Sequence, residues 1–234
     1  MPTAADFGRI GTAIIAAAPT VLPKPAAAVL RAISATAIDG VGKFPGARVS
    51  AGAALAKRGD AESAIDAIVH SHVALAGVQG FATNVGGAIA LLVGLPANLA
   101  GLTLLQTRMS AAIAHLRGYD TDDTRVRAAI MMTLLGRDTV RDLVEQGKLP
   151  STPLGLATAP ALDPALEQPI AEQVLQTLLA RSGGKQAVAL VGKRIPVIGG
   201  GVGLVTDGWA TLEVAHYARE QFPNRRQLLR GDAG

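Results

Sequence analysis

A carboxylate and two histidines in the first half of the chain have the residue types that bind metals or transfer protons. Asp66 and His70 are four residues apart, so on a helix they share a face and could supply two metal ligands or form an orienting His–Asp hydrogen bond. His70 and His72 point about 200° apart on a helix and cannot ligate one metal together. Because further ligands would come from distant positions such as Asp207 or His216, we expect the hydrogen bond and no metal site.

Polar side chains within a long uncharged stretch form the second candidate set. No Asp, Glu, Lys or Arg occurs between Asp66 and Arg108. Each unpaired buried amide costs about 1–3 kcal/mol, so these side chains should find partners. They either form an internal network that fixes helix register or line one end of an apolar pocket between helices, where helical bundles bind ligands. The candidate ligand-binding residues are His70, Gln79, Asn84, Asn98, Gln106, Arg108 and Asp207.

Signatures of cofactor binding and nucleophilic catalysis are missing from the sequence. The chain has no cysteine, which excludes disulfides, Cys-ligated zinc and a cysteine nucleophile. Gly192-Lys193 lacks the upstream glycine of a phosphate-binding loop, because position 187 is Ala. The GGGVGLVTDG run lacks the third glycine and the preceding strand of a dinucleotide site, and no GxSxG or HExxH occurs. We therefore expect no cofactor and assign no catalytic residue, and this favours a non-enzymatic protein.

The elements that must position these side chains are helices. Apolar residues make up 49% of the chain, which has only one Trp, two Tyr and four Phe, and small aliphatic residues favour close-packed helices over a β-sandwich. The sequence predicts an all-α fold: a single helical bundle domain with two Gly/Pro-interrupted apolar hairpins. In the first half of the chain, helices are expected over 4–18, over 26–38, over 47–57, and from an N-cap at Asp60 to Gly86-Gly87. Another is expected from beyond Pro96 to Gly118. The later helices are expected to begin after an N-cap at Asp120 or Thr121 and after Asp163-Pro164, and the last one passes through Val205 to His216.

Apolar spacing within these helices predicts which faces are buried. Beyond Pro96 the apolar residues recur every three or four positions as one stripe, formed by Leu99, Leu102, Leu105, Met109, Ile113 and Leu116. The next helix has Asp122 and Asp123 in its first turn, where negative charge suits the helix dipole. Its buried face is expected to be Val126, Ile130 and Leu134. Later helices carry the runs Ile170, Val174, Leu178, Arg181 and Val205, Trp209, Leu212, His216.

The stretch GGAIALLVGLPANLAG at 86–101 decides whether the chain could enter a membrane. The window 87–105 carries no charged residue, as a transmembrane helix would. Pro96 and Asn98 lie near its middle, however, and both are unfavourable in a helix that faces lipid. We therefore expect a helical hairpin buried in the domain, with a re-entrant membrane hairpin as the alternative. A similar element at 195–208 is expected to pack beside it.

Charge and proline content divide the rest of the chain. We expect N-terminal helices over 1–59, a helical domain over 60–222 and a basic flexible tail over 223–234. The five prolines of 148–169 predict an exposed loop or a flexible crossover. The net charge is +4, but a nucleic-acid binder would show a basic face or stacking aromatics, so an anionic membrane surface is the better partner. The basic residues near the end are Arg219, Arg225, Arg226 and Arg230.

The order of several segments resembles the EcsC family of bacterial proteins. A helix with a His is followed by a Gly-rich apolar turn, LPAN, LRGYDTDD, the RAAIMMTLLG helix and, far downstream, KRIPVIGGGVGLVTDG. Asn98 stands where the family has a carboxylate, and Leu116-Arg117 where it has an aromatic residue, so a role for that carboxylate does not carry over. The resemblance covers residues 60–220. It implies a helical cytoplasmic protein that associates with membranes, in a family connected with an ABC exporter and secretion, and it implies no catalytic activity.

Two functions therefore follow from the sequence. The first is a non-enzymatic cytoplasmic protein that binds an apolar or lipid-like ligand, or that associates peripherally with a membrane or a membrane protein. The alternative is a hydrolytic or metal-assisted enzyme that uses a buried His with Asp or Asn partners on an apolar substrate. This enzyme requires a closed pocket in which His70 reaches a carboxylate. The sequence favours the first function.

Overall fold

The computed structural model describes residues 26–41, 44–76, 97–192 and 199–225. At 41, 44, 97–98, 181–192 and 199–206 the description covers the backbone alone. Within these ranges the fold is the predicted all-α helical bundle, with one very short β-hairpin. The predicted helix over 4–18, the Gly86-Gly87 turn and Pro196 lie outside the described residues.

The described elements confirm most of the predicted helices. Their order is α1 Ala26–Asp39, β1 Gly40–Val41, β2 Phe44–Pro45, α2 Ala47–Arg58, α3 Ala61–Ala76, α4 Ala97–Leu116, α5 Thr124–Thr133, α6 Arg137–Glu145, α7 Pro153–Thr158, α8 Pro164–Gly192 and α9 Gly199–Gln221. The two strands pair antiparallel, with Gly40 opposite Pro45, where the sequence predicts only a loop. Helix α9 begins at Gly199, so Gly199, Gly200 and Gly201 belong to its first turn.

Local caps place several helix ends where the sequence indicates them. Gly59 ends α2 in the left-handed conformation, with a φ of +86°, which glycine adopts without strain. The Asp60 carboxylate accepts a hydrogen bond from the Ser63 backbone N–H at 2.9 Å and so begins α3. Asp163 accepts in the same way from the Ala165 N–H at 2.9 Å. The predicted N-cap of α3 and the predicted start of α8 are therefore confirmed.

Helix α5 begins later than the sequence predicts. Asp120 closes a turn by accepting from the Asp122 backbone N–H at 2.9 Å, and the N-cap is Asp123, which accepts from the N–H two residues on. Asp122 lies outside the helix and pairs with Arg48 of α2 at 2.5 Å. The predicted cap at Asp120 or Thr121 is wrong, because an arginine from another helix holds Asp122 and leaves Asp123 to cap α5.

Helix α4 is the central element and is buried on several sides. It packs against α1, α2, α3, α5 and α9. The predicted stripe residues Leu105, Met109 and Ile113 are buried, but so are residues on the other sides of the helix: Ala100, Thr103, Leu104, Gln106, Thr107, Ser110, Ala111, Ala112 and Ala114. The predicted stripe is therefore buried or half-buried, but it is only part of the buried surface of α4. A helix enclosed by its neighbours buries small and polar side chains as well as large apolar ones.

The buried polar groups of α4 hydrogen bond within the core. Gln106 Nε2 donates to Thr211 Oγ1 of α9 at 3.2 Å, and Thr107 Oγ1 donates to the Thr103 carbonyl at 2.6 Å. Thr133 of α5 donates to Ser110 Oγ at 3.1 Å. These bonds satisfy groups that would otherwise destabilise the core, and they tie α4 to α5 and α9.

Other helices bury partly different faces from those the spacing suggests. Val126, Ile130 and Leu134 of α5 are buried, as are Ile170, Val174 and Leu178 of α8, which confirms both predictions. On α9 the residues Trp209 and His216 face outward. The buried side of α9 is formed instead by Thr211, Val214, Ala215 and Ala218, and Phe222, just after the helix, is buried as well.

The Pro-rich segment 148–169 is packed and partly helical. It contains α7, whose N-cap Thr152 accepts from the Gly155 N–H and whose first position is Pro153. Leu149, Pro153 and Leu156 are buried, and α7 packs against α5. The segment is therefore partly helical and not one continuous loop, because proline suits the first turn of this short helix.

Helix α3 runs antiparallel to α4 and α9. Glu62, at the start of α3, pairs with Arg117 just after α4 at 2.8 Å, and a Cβ at Gly208 of α9 would lie 3.7 Å from the Val73 carbonyl near the end of α3. Helices α4 and α9 finish at the same end of the bundle, and we call it the charged end. We name the other end, where α3 finishes at Ala76 and α4 begins at Ala97, the apolar end. None of the described helices combines the length and apolar character needed to cross a bilayer.

Candidate functional site

The structure describes only part of the predicted ligand-binding set. Gln79 and Asn84 lie outside the described residues, and Asn98 is described by its backbone alone, in the first turn of α4. The remaining members are His70, Gln106, Arg108 and Asp207, and they do not all come together. Gln106 and Asp207 are connected through α9, because Thr211 receives the Gln106 hydrogen bond and donates its own to the Asp207 carbonyl at 2.8 Å.

His70 does not form the predicted hydrogen bond with Asp66. The His70 side chain is exposed on α3. Asp66 pairs instead with Arg219 of α9 at 2.5 Å, and a guanidinium–carboxylate pair is a strong, charge-assisted interaction. The pocket that the enzyme hypothesis requires around His70 is therefore not found among the described residues.

The buried histidine of α3 is His72, which sequence reasoning did not single out. Only 4% of His72 is exposed, and it continues the buried face formed by Ile65, Ile68 and Val69. Its place seven residues after Ile65 on that face was the signal that could have identified it. Burial lowers the pKa of His72 to about 4, and the positive charge of Arg108 adds to this effect. The side chain is therefore neutral at pH 7.

The polar contacts of the His72 ring in the described part of the chain are both made by Nδ1, to the Ile68 carbonyl and, at 3.3 Å, to Ser71 Oγ. Nδ1 lies 2.8 Å from the Ile68 carbonyl oxygen, and a carbonyl accepts only, so Nδ1 carries the proton. Nε2 then has a lone pair directed into the interior, and within the described part of the chain it has no hydrogen-bond partner. Arg108 of α4 donates to Ser50 Oγ of α2 at 2.5 Å. His72 is therefore a buried polar side chain on an otherwise apolar face of α3, close enough to Arg108 for its charge to affect the pKa of the ring.

The apolar end carries the most exposed aromatic side chain among the described residues. Trp209, the single tryptophan of the chain, is 65% exposed on α9. Its neighbour Gly208 lies against Val73, so Trp209 is level with the last turn of α3. Leu75 on that turn is also exposed, at 37%. In the sequence, the uncharged segment 77–96 follows directly.

The charged end joins three helices through Arg117. Its side chain donates to both oxygens of Glu62 and to the carbonyls of Arg219 and Phe222 at 2.6 and 3.0 Å. It thereby caps the C-terminus of α9. A cleft of about 390 Å³ lies here, lined by Glu62, Arg117, Arg219, Pro223 and Asn224.

The start of the predicted basic tail is part of this end. The Arg225 N–H donates to the Arg117 carbonyl at 3.0 Å, and its guanidinium lies 5.9 Å from the centre of the Tyr119 ring. Tyr119 in turn packs edge-on against Phe222, with ring centres 5.1 Å apart. Arg219 and Arg225 thus make intramolecular contacts, because carboxylates and an aromatic ring lie within their reach. Arg226 and Arg230 lie outside the described residues.

Metal ligands do not assemble in the part of the chain that the structure describes, where no group of three His, Cys, Asp or Glu side chains could hold an ion. His216, expected as a distant ligand, lies on the exposed side of α9. Comparisons with protein-family models, with curated proteins and with solved structures found no match. The resemblance to the EcsC family stays a prediction.

Proposed function

We propose that this protein associates peripherally with an anionic lipid bilayer through its apolar end. The observation that carries the proposal is the 65% exposure of Trp209 at the level where α3 finishes. Tryptophan is enriched where proteins meet the membrane interface, because its ring is apolar and its N–H still reaches water. An exposed tryptophan at this end is therefore suited to contact lipid head groups.

The sequence that adjoins the apolar end supports the same interaction. Residues 77–96 and 195–206 contain no charged side chain, and they connect to the ends of α3, α4 and α9. Lys193 and Arg194 immediately precede the second of these segments. Basic residues beside apolar sequence favour anionic lipids over neutral ones. The resemblance to the EcsC family, which rests partly on LPAN and KRIPVIGGGVG in these regions, agrees with membrane association.

The described histidines give less support to the enzymatic alternative. A general base must reach a substrate proton, with a second group to orient it. His70 is exposed and its expected carboxylate is paired elsewhere, while His72 is buried. Membrane association requires neither histidine to react.

Vesicle flotation tests the proposal with a matched pair of variants. The chain is mixed with vesicles of phosphatidylcholine alone, or of phosphatidylcholine with phosphatidylglycerol, and the floated fraction is measured. We expect flotation with the anionic vesicles and a reduction of fivefold or more in Trp209→Ser. The control is Val49→Ser on α2, because Val49 is 64% exposed, much as Trp209 is, and adjoins the Arg48–Asp122 ion pair. Equal loss in both variants, or no flotation of the parent chain, would contradict the proposal.

A further inference from the structure

The two halves of α3 are attached to the neighbouring helices in different ways. In the first half, Glu62 pairs with Arg117 after α4, and Asp66 pairs with Arg219 of α9. We call residues 67–76 the second half of α3. In the described part of the chain, none of its side chains forms a hydrogen bond or an ion pair with another helix. The second half of α3 is therefore held by packing alone.

The packing between the second half of α3 and α9 is a close approach at a glycine. A Cβ added at Gly208 would lie 3.7 Å from the Val73 carbonyl oxygen and 3.9 Å from Val73 Cγ1. Trp209, the residue proposed to contact lipid, follows Gly208, and His72 precedes Val73. His72 therefore lies at the level of the bundle that the proposed function brings to the membrane.

His72 fits this packing only as the neutral imidazole. The residue is 4% exposed, and Nδ1 donates to the Ile68 carbonyl. Protonation would add a hydrogen to Nε2, which has no hydrogen-bond partner in the described ranges, and burying a charged donor without an acceptor is unfavourable. The imidazolium would also be repelled by the positive charge of Arg108. Both penalties are removed if the second half of α3 moves away from its neighbours and His72 contacts water.

Arg108 is the charged neighbour that acts on His72. Burial and then the charge of Arg108 lower the pKa of His72 to about 4, and no other charged group contributes to this shift. The helices packed against α3 are α2, α4 and α9. Their other titratable groups near this level or at the helix ends are His115 of α4, Arg48, Lys57 and Arg58 of α2, and Asp207 of α9. The remaining charged residues of α9 lie nearer the charged end.

We propose that protonation of His72 releases the second half of α3 from α4 and α9, and that this opening strengthens the binding of the apolar end to an anionic bilayer. The inference rests on the proposed membrane association and adds its regulation by pH. Opening exposes apolar residues that α3 buries, such as Ile68 and Val69, to lipid chains. The imidazolium and the guanidinium of Arg108 gain lipid phosphate oxygens as acceptors.

The size of the effect follows from the pKa of His72 in the two forms. It is about 4 in the closed bundle, and the ordinary value of 6.5 applies once the ring contacts water. Between pH 7 and pH 5 the proton is therefore taken up mainly by the open form, and the ratio of open to closed chains rises about twentyfold. Carboxylates in water stay largely ionised at pH 5, so the ion pairs of Glu62 and Asp66 keep the charged end joined.

Vesicle flotation at pH 7 and pH 5, with phosphatidylcholine and phosphatidylglycerol, tests the inference. We expect the lipid concentration that floats half of the protein to be about tenfold lower at pH 5 for the parent chain. His72→Leu should show a change of about threefold or less, from the added charge of the exposed histidines. The matched control is His70→Leu, which removes an exposed histidine of the same helix and should respond as the parent does.

A reversible disulfide separates the opening from the added charge. The chain has no cysteine, and Val73→Cys combined with Gly208→Cys places two thiols within reach of each other. The oxidised double variant keeps all four histidines, but α3 cannot separate from α9. We expect its response to pH to match that of His72→Leu, and reduction to restore the response of the parent. Val73→Cys alone, treated with the same oxidant, is the control.

Several results would overturn the inference. These are equal flotation of the parent at both pH values, an unchanged response in His72→Leu, and equal responses of the oxidised and reduced double variant. If His72→Leu does not fold, the double variant decides, and its failure to form a disulfide would show that Val73 and Gly208 are not in contact and would also overturn the inference. Circular dichroism at pH 5 must show the parent's helices intact, because general unfolding in acid would contradict a local opening.

The outcomes also distinguish this inference from the proposed function. A parent chain that floats at neither pH contradicts membrane association itself. A parent chain that floats equally at pH 7 and pH 5 leaves membrane association in place and removes only its regulation by His72.

Discussion

The two ends of the bundle hold the same three helices together by different means. At the charged end, α3, α4 and α9 are joined by the Glu62–Arg117 and Asp66–Arg219 pairs and by the α9 carbonyls that accept from Arg117. Toward the apolar end, one buried hydrogen bond joins Gln106 of α4 to Thr211 of α9, Gly208 packs against Val73 of α3, and Trp209 stays exposed.

The difference separates the charged end, which determines how the helices align, from the apolar end, which is proposed to bind the membrane. Ion pairs and carbonyl caps are directional, so the charged end determines how the helices align along their axes. Apolar contacts are not directional, and exposed apolar surface adds little to the stability of the isolated chain. Substitutions at the charged end should therefore change stability, and substitutions at the apolar end should change membrane binding.

The largest effect is expected for Arg117→Met at the charged end. The Arg117 side chain is 13% exposed, and its loss leaves two carbonyls at the end of α9 without their donor. We expect the free energy of unfolding in urea to fall by about 2–4 kcal/mol, because each buried acceptor left without its donor costs about 1–3 kcal/mol, while the lost pair with the 54% exposed Glu62 adds little. Arg141→Met is the control: Arg141 is 59% exposed and pairs only within α6, and less than about 0.5 kcal/mol is expected. Equal effects would remove the distinction between the ends.

Acidification is expected to lower the free energy of unfolding by a comparable amount, because of the buried His72. Its pKa is lowered from 6.5 to about 4 on folding, so the unfolded chain binds a proton that the folded chain does not. The stability contributed by neutral His72 is present above pH 6.5 and is lost as the pH falls toward 4. The loss is about 3 kcal/mol. Urea unfolding of the parent chain and of His72→Leu measures it. The parent should lose more stability than the variant over this range, and parallel pH profiles would show that His72 is not buried as described.

A smaller effect is expected at the turn that follows α4 at the charged end. Gly118 has a φ of +87°, and alanine there should lower the free energy of unfolding by about 1 kcal/mol because of backbone strain. Gly52 lies within α2, and a methyl group added there would have no other atom within 4 Å. Gly52→Ala is therefore expected to stabilise the chain, by about 0.5–1 kcal/mol. Thermal denaturation of the two variants should shift in opposite directions, and shifts of one sign would contradict the described turn.

The smallest effect on stability is expected for Trp209→Ser. Because 65% of the side chain is already exposed, the free energy of unfolding should change by less than about 0.5 kcal/mol. Urea unfolding followed by circular dichroism measures this without relying on tryptophan fluorescence. A large loss would mean that Trp209 stabilises the fold, and the apolar end would then not be a separate functional surface.

Regular spacing and local caps were sufficient to predict most of the helical fold. The ends of α2 and α3 were predictable because Gly59 and Asp60 act through the backbone of their immediate neighbours. The cap of α5 was not, because Arg48 of another helix holds Asp122. The Pro-rich segment was assigned to a loop for a similar reason: its helix depends on burial of Leu156 against the rest of the domain.

The candidate site was less predictable than the fold. Asp66 and His70 have suitable spacing for a hydrogen bond, but spacing along one helix cannot show that Arg219 approaches from α9. His72 could have been found by continuing the buried face of α3, whereas its relation to Arg108 depends on how α3 and α4 align. That alignment is determined by Glu62 and Arg117, which lie some ten residues away from the site.

The most direct test of the central claim uses Trp209 as the reporter, since the chain contains no other tryptophan. Its fluorescence is measured with vesicles of phosphatidylcholine and phosphatidylglycerol in which bromine atoms on the lipid chains quench nearby indole. We predict a shift of the emission to shorter wavelength and quenching by bromine placed near the head groups. Emission at its original wavelength and intensity, at vesicle concentrations that float the protein, would show that another surface binds the membrane. It would contradict the assignment of the apolar end.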